Sequence, residues 1–196
     1  MGKAGIVIGI LVVIVLFLGM GGCSSYGSIV RLDEAAKSQW AQVDSQLQRR
    51  YDLIPNIVET VKGYASHEKE VLENIANART KYFSAPDDTS RAEAAAGVER
   101  ALSRLLMLTE TYPQLKANEG FLKLQDQLEG TENRIATERG RYNTSVKELN
   151  AYLRSPMGVI GNLFAQVKPR EYFETTPEAR TAPRVDFGAK PATQGG

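Results

Sequence analysis

The chain has one cysteine and one histidine in 196 residues. A single thiol excludes a disulfide within one chain, and one Cys with one His cannot furnish a metal site that needs several such ligands. An excess of either charge is missing too, since 24 Lys plus Arg face 23 Asp plus Glu for a net +1. That balance leaves no broad basic footprint, so no nucleic-acid partner is expected. Beyond Gly27 no alternating apolar and polar pattern argues for strands. There is no Gly-x-Ser-x-Gly elbow, no Gly-rich nucleotide loop and no kinase catalytic motif, and the lone His would have to fill every acid–base role. The expectation is therefore no enzyme and no cofactor.

What remains is ordinary for one globular domain: 42% hydrophobic and 24% charged residues. The apolar residues are concentrated at the amino end. No charge falls between Ala4 and Val30, and from Ile6 to Leu18 every position but one glycine is apolar. Those 13 residues reach about 20 Å as a helix, a length that suits a signal-peptide core. Extension from Ala4 to Gly22 gives 19 residues and about 28 Å, enough for one membrane span.

The only thiol follows at once, in Met20-Gly21-Gly22-Cys23-Ser24-Ser25, which resembles the lipobox of bacterial lipoproteins. Cys23 is thus a candidate lipidation site, and two or three acyl chains hold a protein stably at a bilayer. The other reading is an unmodified cysteine at the end of a transmembrane helix. Either makes the lipid bilayer a partner. An acylated Cys23 would put the domain outside the cytoplasm, whereas the span alone leaves the side open, because Lys3 on one flank is matched by Arg31 and Lys37 on the other.

Prolines at 55, 86, 113 and 156 divide segments rich in Ala, Leu, Glu, Gln, Lys and Arg, which favour helix because their side chains lose little rotamer freedom there. The first segment, about 28–54, carries Ile29, Leu32, Ala36, Trp40, Val43 and Leu47 along one stripe. A stop or bend is expected at Pro55, after which the period resumes and runs on through Val71, Leu72 and Ile75 to Tyr82. Ser84-Ala85-Pro86-Asp87-Asp88 supplies a reversal. Asp88, Thr89 or Ser90 is expected to cap the next helix, which ends before Tyr112-Pro113.

The last long segment, about 118–153, places Phe121, Leu128, Ile135, Tyr142 and Leu149 at seven-residue intervals, the spacing of knobs that pack into a facing helix. Four positions after each come Gln125, Glu132, Arg139, Val146 and Leu153, which predicts polar layers near the core over the first half. A short capping segment follows Pro156, and Pro169 to Gly196, with four prolines, reads as extended or disordered. The fold class is all-α: an antiparallel bundle of long helices over 26–168, an amino-terminal anchor or signal segment over 1–25, and a proline-rich tail over 169–196.

Arg49, Arg50 and Asp52 ahead of Pro55, with His67, form a candidate polar interaction patch. The arginines have a structural reading as well, pairing across the bundle with Glu129 or Glu132; a buried, paired Glu132 would cost about 3 to 5 kcal/mol to truncate. His67 has Glu70 three positions on, a pair able to touch one metal from one helical face, but di-iron bundles need two Glu-x-x-His motifs and further carboxylates. A solvated His67 is the expectation. Asn56, Asn118, Asn133 and Asn143 are suited to capping, turns or register. Tyr51, Tyr64, Tyr82 and Tyr112 read as half-buried packing residues with wet hydroxyls.

QRRYDLIPNIVETVKGYASHEKEVL at 48–72, SRLLMLTETYPQLKANEGFLKLQDQLEGTENRIATERGRYN at 103–143 and VDFG at 185–188 together resemble the LemA family. The resemblance covers most of 26–188 and implies a membrane-anchored bacterial protein built on long antiparallel helices. The function expected is that of a noncatalytic envelope scaffold or interaction protein, its partner an unknown protein or a second copy. Two other readings stay open: a small-ligand receptor or enzyme using a cleft near Arg49, Arg50 and His67, and a homo-oligomeric membrane organiser.

Overall fold

A computed structural model describes residues 2–173; the side chains of residues 3–7, 10, 11 and 13–23 lie outside the described set. The chain forms helices α1 (Lys3–Tyr51), α2 (Ile54–Lys62), α3 (Lys69–Phe83), α4 (Asp88–Thr111), α5 (Pro113–Lys116), α6 (Glu119–Leu153) and α7 (Pro156–Ala165). No strand occurs among the described residues. Residues 3–23 and the bundle share one unbroken helix of 49 residues, about 70 Å long, with no linker at residue 25. Among the described side chains, burial on α1 begins with Ser25.

The Pro55 expectation holds with a shift in place. Helix α1 closes at Tyr51, Asp52 and Leu53 make the bend, and Pro55 sits in the first turn of α2, where its missing N–H would have had no helical partner. The expected continuous run to Tyr82 does not form. Residues 63–68 turn the chain back, so that α3 runs against α1. Gly63 ends α2, and Ala65 takes the turn into the core at 1% exposure. Asp87, one residue before the expected cap, accepts the Ser90 N–H at 2.8 Å and starts α4. Asn118 accepts the Phe121 N–H at 2.8 Å and starts α6.

The result is an up-down-up-down arrangement: α1 continued by α2, then α3, α4 and α6. The long helices meet most extensively in two antiparallel pairs, α1 with α6 and α3 with α4. Large side chains join the pairs. Phe121, Leu128, Ile135, Tyr142 and Leu149 are all buried, so the seven-residue spacing marks the seam of α6. The row beside it becomes buried at Val146 and Leu153, while Glu132 stays exposed and Arg139 half-buried.

The short capping segment expected after Pro156 is a helix of ten residues. Pro156 opens α7, Ser155 accepts the Gly158 N–H at 3.0 Å, and Gly158 and Gly161 are contact positions rather than breaks. A Cβ on Gly158 would collide with the Tyr152 carbonyl, and one on Gly161 with Ser25. Helix α7 therefore lies directly on the part of α1 that precedes the main core.

The anchor and the acylation expected at Cys23 fall on side chains outside the described residues, as does the tail from residue 174. Among the described residues, no helix is long and apolar enough to cross a membrane. The chain leaves α7 through Gln166 (φ 52°) and continues without helix to residue 173, so that 169–173 are the described part of the tail.

Candidate functional site

The patch expected from Arg49, Arg50, Asp52 and His67 is not gathered in one place. Successive residues near the end of α1 point different ways, and Arg50 points in. It is 7% exposed, donates to Leu128 O at 3.1 Å and to Glu99 Oε2 at 3.0 Å, and pairs with Glu132. The expected partner Glu132 is real, but its side chain is 50% exposed. The more buried partner is Glu99 on α4, which sequence spacing did not point to. Burial pushes the Glu99 carboxyl up, against the pull of Arg50, and the neighbouring Glu132 charge pushes the same way.

Arg49 is exposed and, with Leu53, Gln127, Thr131 and Arg134, lines a shallow depression. Asp52 is exposed and accepts from Arg79 Nη2 at 3.3 Å. His67 is exposed in the turn between α2 and α3, so it does not share a helical face with Glu70. The other expected acid, Glu129, accepts from Gln125 at 3.3 Å instead.

Two tyrosines are deeper than expected. Tyr51 is 0% and Tyr82 is 1% exposed, edge to face at 4.7 Å. Tyr51 Oη lies 3.2 Å from Glu99 Oε1 and 3.3 Å from Ala95 O, and Tyr82 Oη donates to Asp44 Oδ1 at 2.5 Å. Burial, reinforced by those carboxylates, raises both phenols well above the usual range, so both keep their protons at neutrality. Tyr64 and Tyr112 keep partial exposure; Tyr112 Oη donates to Glu68 at 2.9 Å, and the Tyr64 hydroxyl accepts from Asn118 at 2.9 Å.

A larger concavity lies elsewhere. A groove of about 760 Å³ runs between one face of α4 and residues 166–173, with Trp40 and Tyr142 at its base. Residues 166–173 act as a strap across the bundle. The Asn162 amide bonds both backbone groups of Val167, at 2.8 and 3.0 Å. Asn150 does the same for Arg170 at 3.0 and 2.8 Å, and Asn143 for Phe173 at 2.8 and 3.0 Å. Three residues of extended chain advance about 10 Å, which matches the seven helical residues from Asn143 to Asn150 at about 1.5 Å each. The strap and α6 are therefore in register.

Side chains complete the fastening. Phe173 stacks on Trp40 at 5.7 Å, and the Arg139 guanidinium lies 4.4 Å from the Phe173 ring centre on the same assembly. Arg170 Nε donates to Asp33 on α1 at 2.9 Å, and its Nη1 lies 3.6 Å from Asp88. Burial would raise the Asp33 carboxyl, but hydrogen bonds and charge from Lys37 and Arg170 outweigh it and hold the group below its ordinary value. Of the three fastening asparagines, only Asn143 was singled out by sequence. The other partners could not be read, since a strap without periodicity gives no register until the helices are placed.

Chemically, these arrangements neutralise and fasten. Arg50 is held between two carboxylates, Arg170 between two more, and the amides are occupied by backbone. Among the described residues, no group of three or more His, Cys, Asp or Glu side chains is placed to hold a metal ion.

The model of the LemA family matches residues 39–187. The chain is also similar to two magnetosome proteins of Paramagnetospirillum magneticum, MamQ 1 and MamQ 2. Each is 22% identical, over 80% of this chain and 67% of the relative. Magnetosome protein MamQ of Magnetospirillum gryphiswaldense matches with the same identity and coverage.

Proposed function

Because this chain belongs to the LemA family, whose model covers residues 39–187, we propose that it is a noncatalytic, membrane-anchored helical scaffold of the bacterial envelope. The observation that carries this reading is the single helix α1, which passes from the uncharged segment at Ala4–Gly22 straight into the bundle core. A segment with that composition favours a bilayer. An anchor joined to a bundle without a hinge holds its surface at a fixed height, and confinement beside a membrane raises the effective concentration of partners held there. The relatives are named for the magnetosome and not for a reaction, which supports a noncatalytic role. The buried Arg50 and Asp33 point the same way, each being neutralised by oppositely charged side chains.

The test is mild crosslinking in native membranes followed by purification of the full chain. A reproducible partner protein is the expected recovery, and the chain alone would overturn the scaffold reading. Mass measurement of the mature amino terminus decides between an acylated Cys23 and an unprocessed span. A receptor reading is favoured by one feature, the groove beside α4 with Trp40 at its base. Saturable quenching of Trp40 by a small-molecule fraction of the envelope would support it.

A further inference from the structure

Helix α7 carries Met157, Val159, Leu163 and Phe164 at 46, 55, 70 and 73% exposure. Helices on a soluble surface do not present four large apolar side chains in ten residues without something to cover them. No charge occurs from Ser155 to Val167, whereas Arg154 and Lys168 stand just outside at either end, both exposed. The remaining exposed large apolar residues of the bundle, such as Phe83, Met107 and Leu122, are scattered singly on other elements.

The position of α7 identifies what covers it. The helix is fixed to α1 at Ser25: Gly161 allows the contact, Ser25 Oγ donates to Met157 O at 2.6 Å, and Tyr152 Oη donates to Ser25 Oγ at 3.3 Å. Ser25 lies three residues past Gly22, about 4.5 Å farther along the helix axis. If the uncharged segment occupies hydrocarbon, Ser25 is at headgroup depth, and α7 with it. Tyr26, 46% exposed, is at the same level, where amphipathic rings are favoured. Arg31, Arg154 and Lys168 are exposed at that end of the bundle and suited to lipid phosphates.

We propose that α7 is an interfacial helix whose Met157, Val159, Leu163 and Phe164 side chains enter the bilayer surface beside the emerging α1. The proposal rests on the anchor reading above and extends it: the bundle is held at two points, and its tilt on the membrane is set. An uncharged apolar face flanked by cations is the composition that lies in an interface plane.

The experiment uses the full chain in vesicles of phosphatidylcholine and phosphatidylglycerol with brominated acyl chains. Substitution F164W adds an indole at the exposed tip of α7, and the unsubstituted chain supplies the Trp40 baseline. Flotation with the vesicles and an about two-fold loss of the added emission are expected, since bromine quenches an indole only at acyl depth. L122W, at an exposed position near the start of α6, should show no such loss. Flotation without quenching at position 164 overturns the interfacial helix while the anchor stands; failure to float overturns both. Equal quenching at 122 and 164, or a position-164 indole shielded from bromine and crosslinked between copies, also overturns it, the latter because a second copy covers the face.

Discussion

The side-chain amide of Asn143 holds Phe173 by both of its backbone groups, accepting from its N–H at 2.8 Å and donating to its carbonyl at 3.0 Å. The contact is blind to the Phe173 side chain, which is left free to stack on Trp40. Asn143→Ala therefore removes two hydrogen bonds at once and leaves a part-buried N–H and C=O unpaired. The expected loss is about 1 to 3 kcal/mol in chemical denaturation. Amide exchange at residues 170–173 should rise by more than exchange within α3. Asn143→Asp should fail as well, because a carboxylate cannot donate to the Phe173 carbonyl.

Arg50 divides its charge between unequal partners, and truncation should reveal the difference. Glu132 is half exposed, so Glu132→Ala is expected to cost no more than about 1 kcal/mol. Glu99, with a side chain 21% exposed, also receives Tyr51; Glu99→Ala should cost about 3 kcal/mol by leaving a buried guanidinium and phenol short of partners. Urea denaturation of both variants checks the order. Equal costs would show that burial does not set the worth of this pair.

The bundle was legible because its signals are local. Five residues seven apart on α6 all reach the core, Asn118 caps as its type suggests, and Pro55 marks a bend. The reversal at 63–68 was not, because the apolar spacing from Ile57 and Val61 resumes at Val71 as though the helix continued, with Gly63 the single weak breaker. Of the candidate site, Arg50 and Glu132 were found by charge alone. Glu99, Asp33 and Asn150 were missed because their partners come from elements whose relative placement no sequence period encodes.

Asp33 gives the strap a pH dependence of known sign. Its folded carboxyl is held below the ordinary value by Lys37 and Arg170, which outweigh the opposing effect of burial. Its stabilisation is thus fully present above the unfolded value of about 3.9 and lost as pH falls through the folded one. The difference in thermal midpoint between the parent and Asp33→Asn should be constant above about pH 5 and close below about pH 4. A difference independent of pH down to full protonation would show that the asparagine variant loses packing and not charge.

Gly161 tests whether α7 is a fixed part of the bundle. Its Cα faces Ser25 so closely that an added methyl would meet both the side chain and the backbone carbonyl carbon of that residue. Backbone cannot move aside as a flexible side chain can, so Gly161→Ala has to push α7 off α1 and break the Ser25 bond to the Met157 carbonyl. Overpacking of this kind costs about 1 to 3 kcal/mol. The loss should be local. Amides of residues 159–165 should exchange faster, while those around Ile135 in the centre of α6 keep their protection. Ser25→Gly in the same chain removes the two nearest of these contacts, with Oγ and Cβ, and should restore α7 in part, although the backbone contact stays and the hydroxyl bond is gone. Failure of that second substitution to restore any protection would mean that α7 is held by something other than the Ser25 contact.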